Sequence, residues 1–378
     1  MALNDKNPVG TSDNSIARRV LLKAAPAALL TAAGASQLFA SSKRPTSAKQ
    51  PIKRSSNTED EATFTAESER SVAKALEWLK KSQNGDGGCG VDIGQVSDIG
   101  TTAVVGLALM ANGVTPIEGT DNGMLRRIKK YLMLQTENMP KNDITSVTST
   151  QLQSKIGRHA HSFFTALFFS QIIGQGENPE PIRNALKRVV SAVVRAQDSK
   201  GSWGAQSWAP VLGTVMGWVS LRASHSAGIT VGAAPQKTAD HLIKQMSSNL
   251  GNQQGWMHTL YKNATGIRVL FELEKEDNEI ARKAFKDVLH VITKDNTPFS
   301  QAGGEEFLAF HLITETMLKK GGEDWNSWFP VVRDKLIGIQ GSDGSWVGHH
   351  CITSRTFCTA AAVLVLTSPY RFLPISQA

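Results

Sequence analysis

Three acidic residues and one histidine are the main candidates for catalysis in this sequence. Asp98, Glu305 and Glu306 each stand at the beginning of an apolar stretch, and His161 stands at the beginning of another. Burial raises the pKa of Asp and Glu, and a carboxyl group kept neutral in this way can act as a general acid. With aromatic faces nearby to stabilise a carbocation, these residues predict acid-initiated chemistry on an alkene. The alternative is that the acids only cap helices.

Other side chains at similar positions are candidates for ligand binding or metal ligation. The ligand-binding candidates are His159, Trp208, Trp256, His258, Tyr261, His311 and Arg355. Imidazole and thiolate donors also follow one another at His349, His350 and Cys351, which are weak candidates for metal ligands. Neighbouring side chains point in different directions, so these three would not all bind one ion. We therefore predict no cofactor, with zinc as the alternative.

Apolar periodicity predicts two alternating sets of helices. Helices with one apolar stripe lie at a surface, whereas helices that are apolar on most sides are buried. The first kind is predicted over 68–82, 123–135, 182–197, 236–248, 278–293 and 325–340. The second kind is predicted over 98–112, 159–174, 208–224, 257–273, 305–319 and 351–367. Together they predict six helical hairpins.

A short pattern recurs between the two kinds of helix. Gln83, Gln197 and Gln340 are each followed by a glycine four residues later, and by Cys89, Trp203 or Trp346 six residues later. Glycine suits the left-handed conformation that ends a helix, and a glutamine side chain can bond the free backbone groups there. We call these segments the glutamine turns, and predict that each connects a surface helix to the buried helix that follows.

The glutamine turns and the alternating helices resemble the repeats of the prenyltransferase and squalene-cyclase superfamily. The likeness covers roughly 68–378, and four segments resemble an exported bacterial prenyltransferase/squalene-oxidase repeat branch: 157–174, 225–231, 321–346 and 368–375. The resemblance implies an all-α fold, an α/α toroid with six inner and six outer helices. It also implies that the inner helices all begin at one end of the ring, where the candidate residues would form a pocket.

The resemblance leaves the activity open. The Asp-x-Asp-Asp segment of squalene-hopene-type cyclases is absent, and Asp98 stands alone in the nearest segment. At the zinc site of protein prenyltransferases, Glu305 could replace the aspartate, but Phe307 stands in place of the cysteine and Thr356 near the histidine. We expect a toroid that binds, and as an enzyme would transform, an isoprenoid or other apolar ligand in its central cavity. The alternatives are a non-catalytic scaffold for a partner protein and, third, a carbohydrate hydrolase.

The N-terminus predicts export. Arg18-Arg19 precede a short Ala/Leu run, and small residues allow cleavage after Ala35 or Ala40, as in twin-arginine signals. We predict a signal peptide at 1–40, a flexible linker at 41–66 and a toroid domain at 67–378, located in the periplasm or outside the cell. The apolar run is too short to span a membrane, so the mature chain is expected to have no transmembrane segment.

Charge and cysteine content narrow the partners and the compartment. The net charge is +8, but residues 1–66 hold nine Lys/Arg against five Asp/Glu, and no basic stripe interleaved with aromatics follows. Nucleic acid is therefore not an expected partner. In a ring of six hairpins the first and last become neighbours, so an exported protein could join Cys89 and Cys351 in a disulfide.

Overall fold

Two alternating sets of helices build the protein. The computed structural model describes residues 63–140, 150–176, 178–203, 207–248, 255–273 and 279–377. The predicted signal peptide and most of the predicted linker fall in residues 1–62, outside the described residues. The outer helices are α1 (Ala66–Lys81), α3 (Asn122–Glu137), α6 (Glu180–Ala196), α8 (Ala234–Ser248), α10 (Glu279–Lys294) and α13 (Gly322–Gly338). The inner helices are α2 (Ile99–Ala111), α5 (Ala160–Ile172), α7 (Pro210–Ser226), α9 (Gly255–Glu272), α12 (Gly304–Lys320) and α14 (Arg355–Thr367).

The inner helices form a closed ring. Each inner helix packs against the next one along the chain, and α14 packs back against α2. Five of the outer helices pack against an inner helix that is next to them in the chain. The first, α1, packs instead against α14, and α13 also contacts α1 across the point of closure. This arrangement of the described residues confirms the predicted α/α toroid with six inner and six outer helices.

The apolar character of the inner helices explains their position. All 13 residues of α2 and all 13 of α5 are buried. The four phenylalanines of α5 are at most 1% exposed, and Phe164 packs edge-on against Phe357 at 5.7 Å. Burying one such ring stabilises the fold by about 1.5–3 kcal/mol. These rings therefore belong to the core.

Each of the three glutamine turns ties one outer helix to the next outer helix around the ring. Gln83 Nε2 donates to the carbonyl of Gly87 and to that of Met124 in α3. Gln197 repeats this with Gly201 and Ala234, and Gln340 with Gly344 and Ser71. In the second and third turns the indole N–H of Trp203 or Trp346 donates 2.8 Å to a carbonyl ten residues earlier. The prediction that these turns end the outer helices is correct, and the bond to the following outer helix is an additional finding.

The two ends of the ring differ. The segments that precede the inner helices gather at one end, which we call the mouth; there Thr356 N–H donates to Val91 and Tyr261 donates to Glu306. At the other end, the base, residues 371–376 cross the ring, and we call this segment the strap. The short helices α4 (Gln151–Lys155) and α11 (Thr297–Ser300) lie before α5 and α12, and the 3₁₀ turn Ser368–Tyr370 leads to α15 (Pro374–Gln377). Within the described ranges, no helix is long and apolar enough to cross a membrane.

Candidate functional site

Two adjacent glutamates are fully buried in the first turn of α12. Glu305 and Glu306 each have 0% exposure. Glu306 is well supplied with donors: its Oε2 accepts from the Gly303 N–H at 2.6 Å, and its Oε1 accepts from the Tyr261 hydroxyl of α9. The positive end of the helix dipole also favours a negative charge at this position. Both carboxyl oxygens of Glu306 therefore have a hydrogen-bond donor.

Glu305 has a different environment. Its Oε2 accepts a 3.2 Å bond from the Ile352 N–H, but its Oε1 has no hydrogen-bond partner among the described residues. Burial, and next the charge of Glu306, raise the pKa of Glu305 to about 7. Two carboxyl groups whose surroundings separate their protonation states can divide the roles of acid and anion. The two glutamates therefore differ in that one oxygen of Glu305 has no donor among the described residues, whereas both oxygens of Glu306 have one.

A histidine and a cysteine complete this group at the mouth. His350 Nε2 lies 3.2 Å from Glu306 Oε2, and the Trp256 ring packs edge-on against the imidazole at 6.3 Å. The Glu306 carboxylate raises the pKa of His350. Cys351 adopts a φ of 52°, a costly conformation for a residue with a side chain. We call Tyr261, Glu305, Glu306, His350 and Cys351 the mouth cluster.

Donor atoms in the mouth cluster are close enough to consider a metal. One ligand atom each from Glu305, His350 and Cys351 lies within 4.8 Å of the other two. Carboxylate, imidazole and thiolate are all zinc ligands, and zinc sites often use three protein groups. This set shares His350 and Cys351 with the predicted metal candidates. His349 is exposed and uses its backbone N–H to bond Ala302, so it does not join them.

Asp98 and His161 form a second, separate pair. Asp98 is the N-cap of α2, where its Oδ1 accepts from the Thr101 N–H at 2.6 Å. Its Oδ2 lies 3.1 Å from His161 Nε2, which is also 3.1 Å from the Thr150 hydroxyl. Burial alone would raise the pKa of Asp98, but the bonds from His161 and Thr101 outweigh it and hold that pKa below its usual range. The pair joins α2 to α5, a structural role that leaves neither Asp98 oxygen unpaired.

The remaining ligand-binding candidates do not form one pocket. Trp208 is 60% exposed beside Lys155 at the mouth, and His159 is the N-cap of α5. Arg355 binds Asp343 and Ser345 and covers Trp78, so it braces the third glutamine turn. His311 lines a cavity near the base. The side chain of His258 lies outside the described residues.

The predicted disulfide between Cys89 and Cys351 is not formed. Both residues are free thiols in the described chain, as is Cys358. The Cys89 thiol bonds to Ser82 at the end of α1, whereas the Cys351 thiol faces Glu305 on α12. The two side chains therefore point to different neighbours although both precede inner helices. Burial raises the pKa of Cys89 to about 12 and that of Cys351 to about 11.

Thiol titration checks this correction. We expect a slow reaction of Cys351 in the folded protein and none of Cys89 or Cys358, because thiolate is the reactive form and the other two residues are buried. Denaturation without a reductant should release three thiols. The Cys351→Ser variant should show no reaction when folded and two thiols when denatured. If only one thiol reacted in the denatured wild-type chain, the disulfide between Cys89 and Cys351 would be present after all.

Sequence reasoning missed a polar group inside the ring. Arg268 and Glu315 are 3% and 5% exposed and line the same cavity as His311. Arg268 lies in α9 and Glu315 in α12, each within a stretch that otherwise reads as apolar. Charged residues are rarely buried without a partner. A charged residue inside a helix that is predicted to be buried could therefore have identified Arg268 and Glu315 as candidates.

Comparison with known proteins adds the following. No protein-family model matches the chain, and no curated protein matches it. Among solved structures, a type II terpene cyclase from Scytonema, in complex with geranylgeranyl dihydroxybenzoate as substrate, is similar to this chain. The two are 13% identical, the match covers 81% of this chain and 98% of that one, and the TM-score is 0.49.

Proposed function

We propose that this terpene-cyclase-like toroid is an acid catalyst that acts on an unsaturated apolar ligand, of the isoprenoid class, at its mouth. The main support is that the buried Glu305 Oε1 lacks a hydrogen-bond partner among the described residues. The neighbouring Glu306, in contrast, accepts hydrogen bonds at both of its oxygens. An unpaired carboxyl oxygen in an apolar site is costly unless it is protonated or meets a ligand. Glu305 is thus poised to carry a proton and to give it away.

The chemistry uses residues of the mouth cluster in defined roles. The Glu305 proton adds to one carbon of a double bond, and the other carbon becomes a cation. A neighbouring double bond of the same ligand attacks that cation and closes a ring. The aromatic faces of Tyr261 and Trp256 stabilise the positive charge. Loss of a C–H proton to His350 then restores a double bond, so the product has the same mass as the substrate.

The mouth also offers a place for the apolar body of the ligand. The loops that precede the inner helices carry exposed apolar side chains: Ile93 and Val347 at 44%, Trp208 at 60% and Val96 at 89% exposure. Apolar side chains gathered at one opening are typical of ligand or partner sites. The cavity inside the ring has a volume of only about 20 Å³, which is room for about one water molecule. We therefore place the ligand at the mouth instead of in the central cavity.

The test is turnover of a linear isoprenoid. Purified protein is incubated with geranylgeraniol or with squalene, and gas chromatography with mass spectrometry detects a product of unchanged mass and altered retention. The Glu305→Gln variant should lower the rate by about 10²-fold or more, because it removes the acid. Glu69→Gln, an exposed change in the first turn of α1, is the matched control and should have no effect. Equal rates for both variants would overturn the proposal, and absence of both binding and product would favour the scaffold alternative.

Zinc-dependent chemistry is a second candidate, favoured by the spacing of Glu305, His350 and Cys351. Bound zinc would act as a Lewis acid and hold Cys351 as a thiolate. Elemental analysis of protein purified without chelator distinguishes the two: one zinc per chain, lost in Cys351→Ser, supports this candidate. A chain without zinc supports the first proposal.

From the predicted signal peptide at 1–40, we propose that either activity takes place in the periplasm or outside the cell.

A further inference from the structure

A small chamber lies inside the ring near its base. Every inner helix contributes to its wall, mostly with apolar side chains, and strap residues Leu373 and Ile375 close it from below. Glu315 on this wall is ten residues beyond Glu305 on α12, or about 15 Å along the helix axis. The chamber is therefore separate from the mouth cluster, and a ligand bound in it is independent of the function proposed for the mouth.

The wall of the chamber holds buried polar atoms without partners. Arg268 gives one N–H to Glu272 at 3.0 Å, but its Nε and Nη1 have no partner in the described part of the chain. Glu315 Oε2 and His311 Nδ1 are likewise unpartnered within the described ranges. Each such group carries a desolvation cost of about 1–3 kcal/mol. Two donors and one carboxylate acceptor therefore face the same small space.

A hydroxyl group matches this set. It donates one hydrogen bond and has two lone pairs to accept others. Placed in the chamber, it would donate to Glu315 Oε2 and accept from one of the unpartnered Arg268 N–H groups, Nε or Nη1. A carboxylate would satisfy Arg268 but repel Glu315, and an alkane would satisfy neither.

The strap already imitates such a ligand. The Ser376 hydroxyl donates to Glu315 Oε1 at 3.0 Å, and the apolar side chains of Leu373 and Ile375 fill the space below. Besides the Ser376 hydroxyl, polar contacts of the strap include Ile375 N–H to Gln171 Oε1 at 2.8 Å and Arg371 Nη2 to the Leu318 carbonyl at 2.9 Å.

We propose that the chamber binds the hydroxyl end of an amphiphilic alcohol, and that the strap occupies the path of its alkyl chain. Arg268 and Glu315 recognise the hydroxyl group. The alkyl chain replaces Leu373 and Ile375 between the inner helices. The strap therefore competes with the ligand, and binding releases it.

Calorimetry with n-octanol and n-octane tests the recognition. The double variant Leu373→Ala/Ile375→Ala, the open variant, should bind n-octanol more tightly than the wild-type chain does. Adding Arg268→Met or Glu315→Gln should weaken n-octanol binding about tenfold or more and leave n-octane unchanged. Lys320→Met, at the same end of the ring but outside the chamber wall, is the matched control and should change neither.

Hydrogen exchange on the wild-type chain gives an independent test should the open variant fail to fold. n-Octanol should speed exchange of the Ile375 amide, and n-octane should not. The proposal is overturned if exchange is unaffected by n-octanol, if a folded open variant binds neither probe, or if it binds n-octane as tightly as n-octanol. In the second case the chamber holds an ordered water only.

Discussion

Replacing Gly344 with alanine is expected to lower the free energy of unfolding by about 2–3 kcal/mol. Gly344 has a φ of 93°, and a Cβ atom there would lie 2.7 Å from the Lys74 carbonyl oxygen of α1. Both the backbone conformation and the approach of a second helix therefore exclude a side chain. The same holds for Gly201, whose Cβ would lie 2.4 Å from the Lys237 carbonyl, and for Gly87.

Gly85 provides the matched control within the first glutamine turn. A Cβ atom at this position meets no heavy atom within 4 Å, and its φ is outside the left-handed region. Gly85→Ala should change stability by no more than about 0.5 kcal/mol. Urea unfolding of Gly344→Ala, Gly201→Ala and Gly85→Ala makes the comparison. Similar losses in all three variants would mean that the close contact between turn and helix has no special role.

Much of the fold could be predicted from the sequence, because the helices and their ends depend on residues that are close together in the chain. α6 has one apolar face and α5 is apolar on all sides. This difference alone predicts that α6 is an outer helix and α5 an inner helix. The glutamine turns could be read for the same reason, since helix termination depends on residues a few positions apart. What the sequence could not indicate was the second bond of each glutamine, because its acceptor lies 37 to 269 residues away.

The candidate site was predictable only in part. Tyr261, Glu305, Glu306, His350 and Cys351 were all singled out, and the structure brings them together at the start of α12. The contact of Arg355 with Asp343 was not predicted, because Asp343 lies in a turn whose geometry the sequence does not give. His311 was named as a ligand-binding candidate two turns into an inner helix, and that position puts it in the chamber with Arg268. The mouth cluster and the chamber lie at different heights along α12. Residue type alone does not show at which height a polar side chain lies.

The Asp98→Ala variant should lose about 3 kcal/mol of stability at neutral pH. Asp98 both caps α2 and pairs with His161. Removing the N-cap costs about 1 kcal/mol, and leaving the fully buried His161 without its carboxylate partner costs about 1–3 kcal/mol. Asp98→Ser keeps an oxygen for the Thr101 N–H and should recover only the capping part. Thermal and urea unfolding of the two variants separates these contributions.

The pH dependence of the Asp98 contribution has a definite sign. The folded protein holds the pKa of Asp98 below its usual range, so the stabilisation is complete above the unfolded pKa of about 3.9 and is lost as pH falls through the folded value. The difference in stability between wild type and Asp98→Asn should therefore be largest near neutral pH and shrink in acid. A double-mutant cycle with His161→Gln should show a coupling energy at pH 7 that disappears with it. A difference that stays constant down to strong acid would show that Asp98 acts through hydrogen-bond geometry alone, and that its charge does not hold α2 to α5.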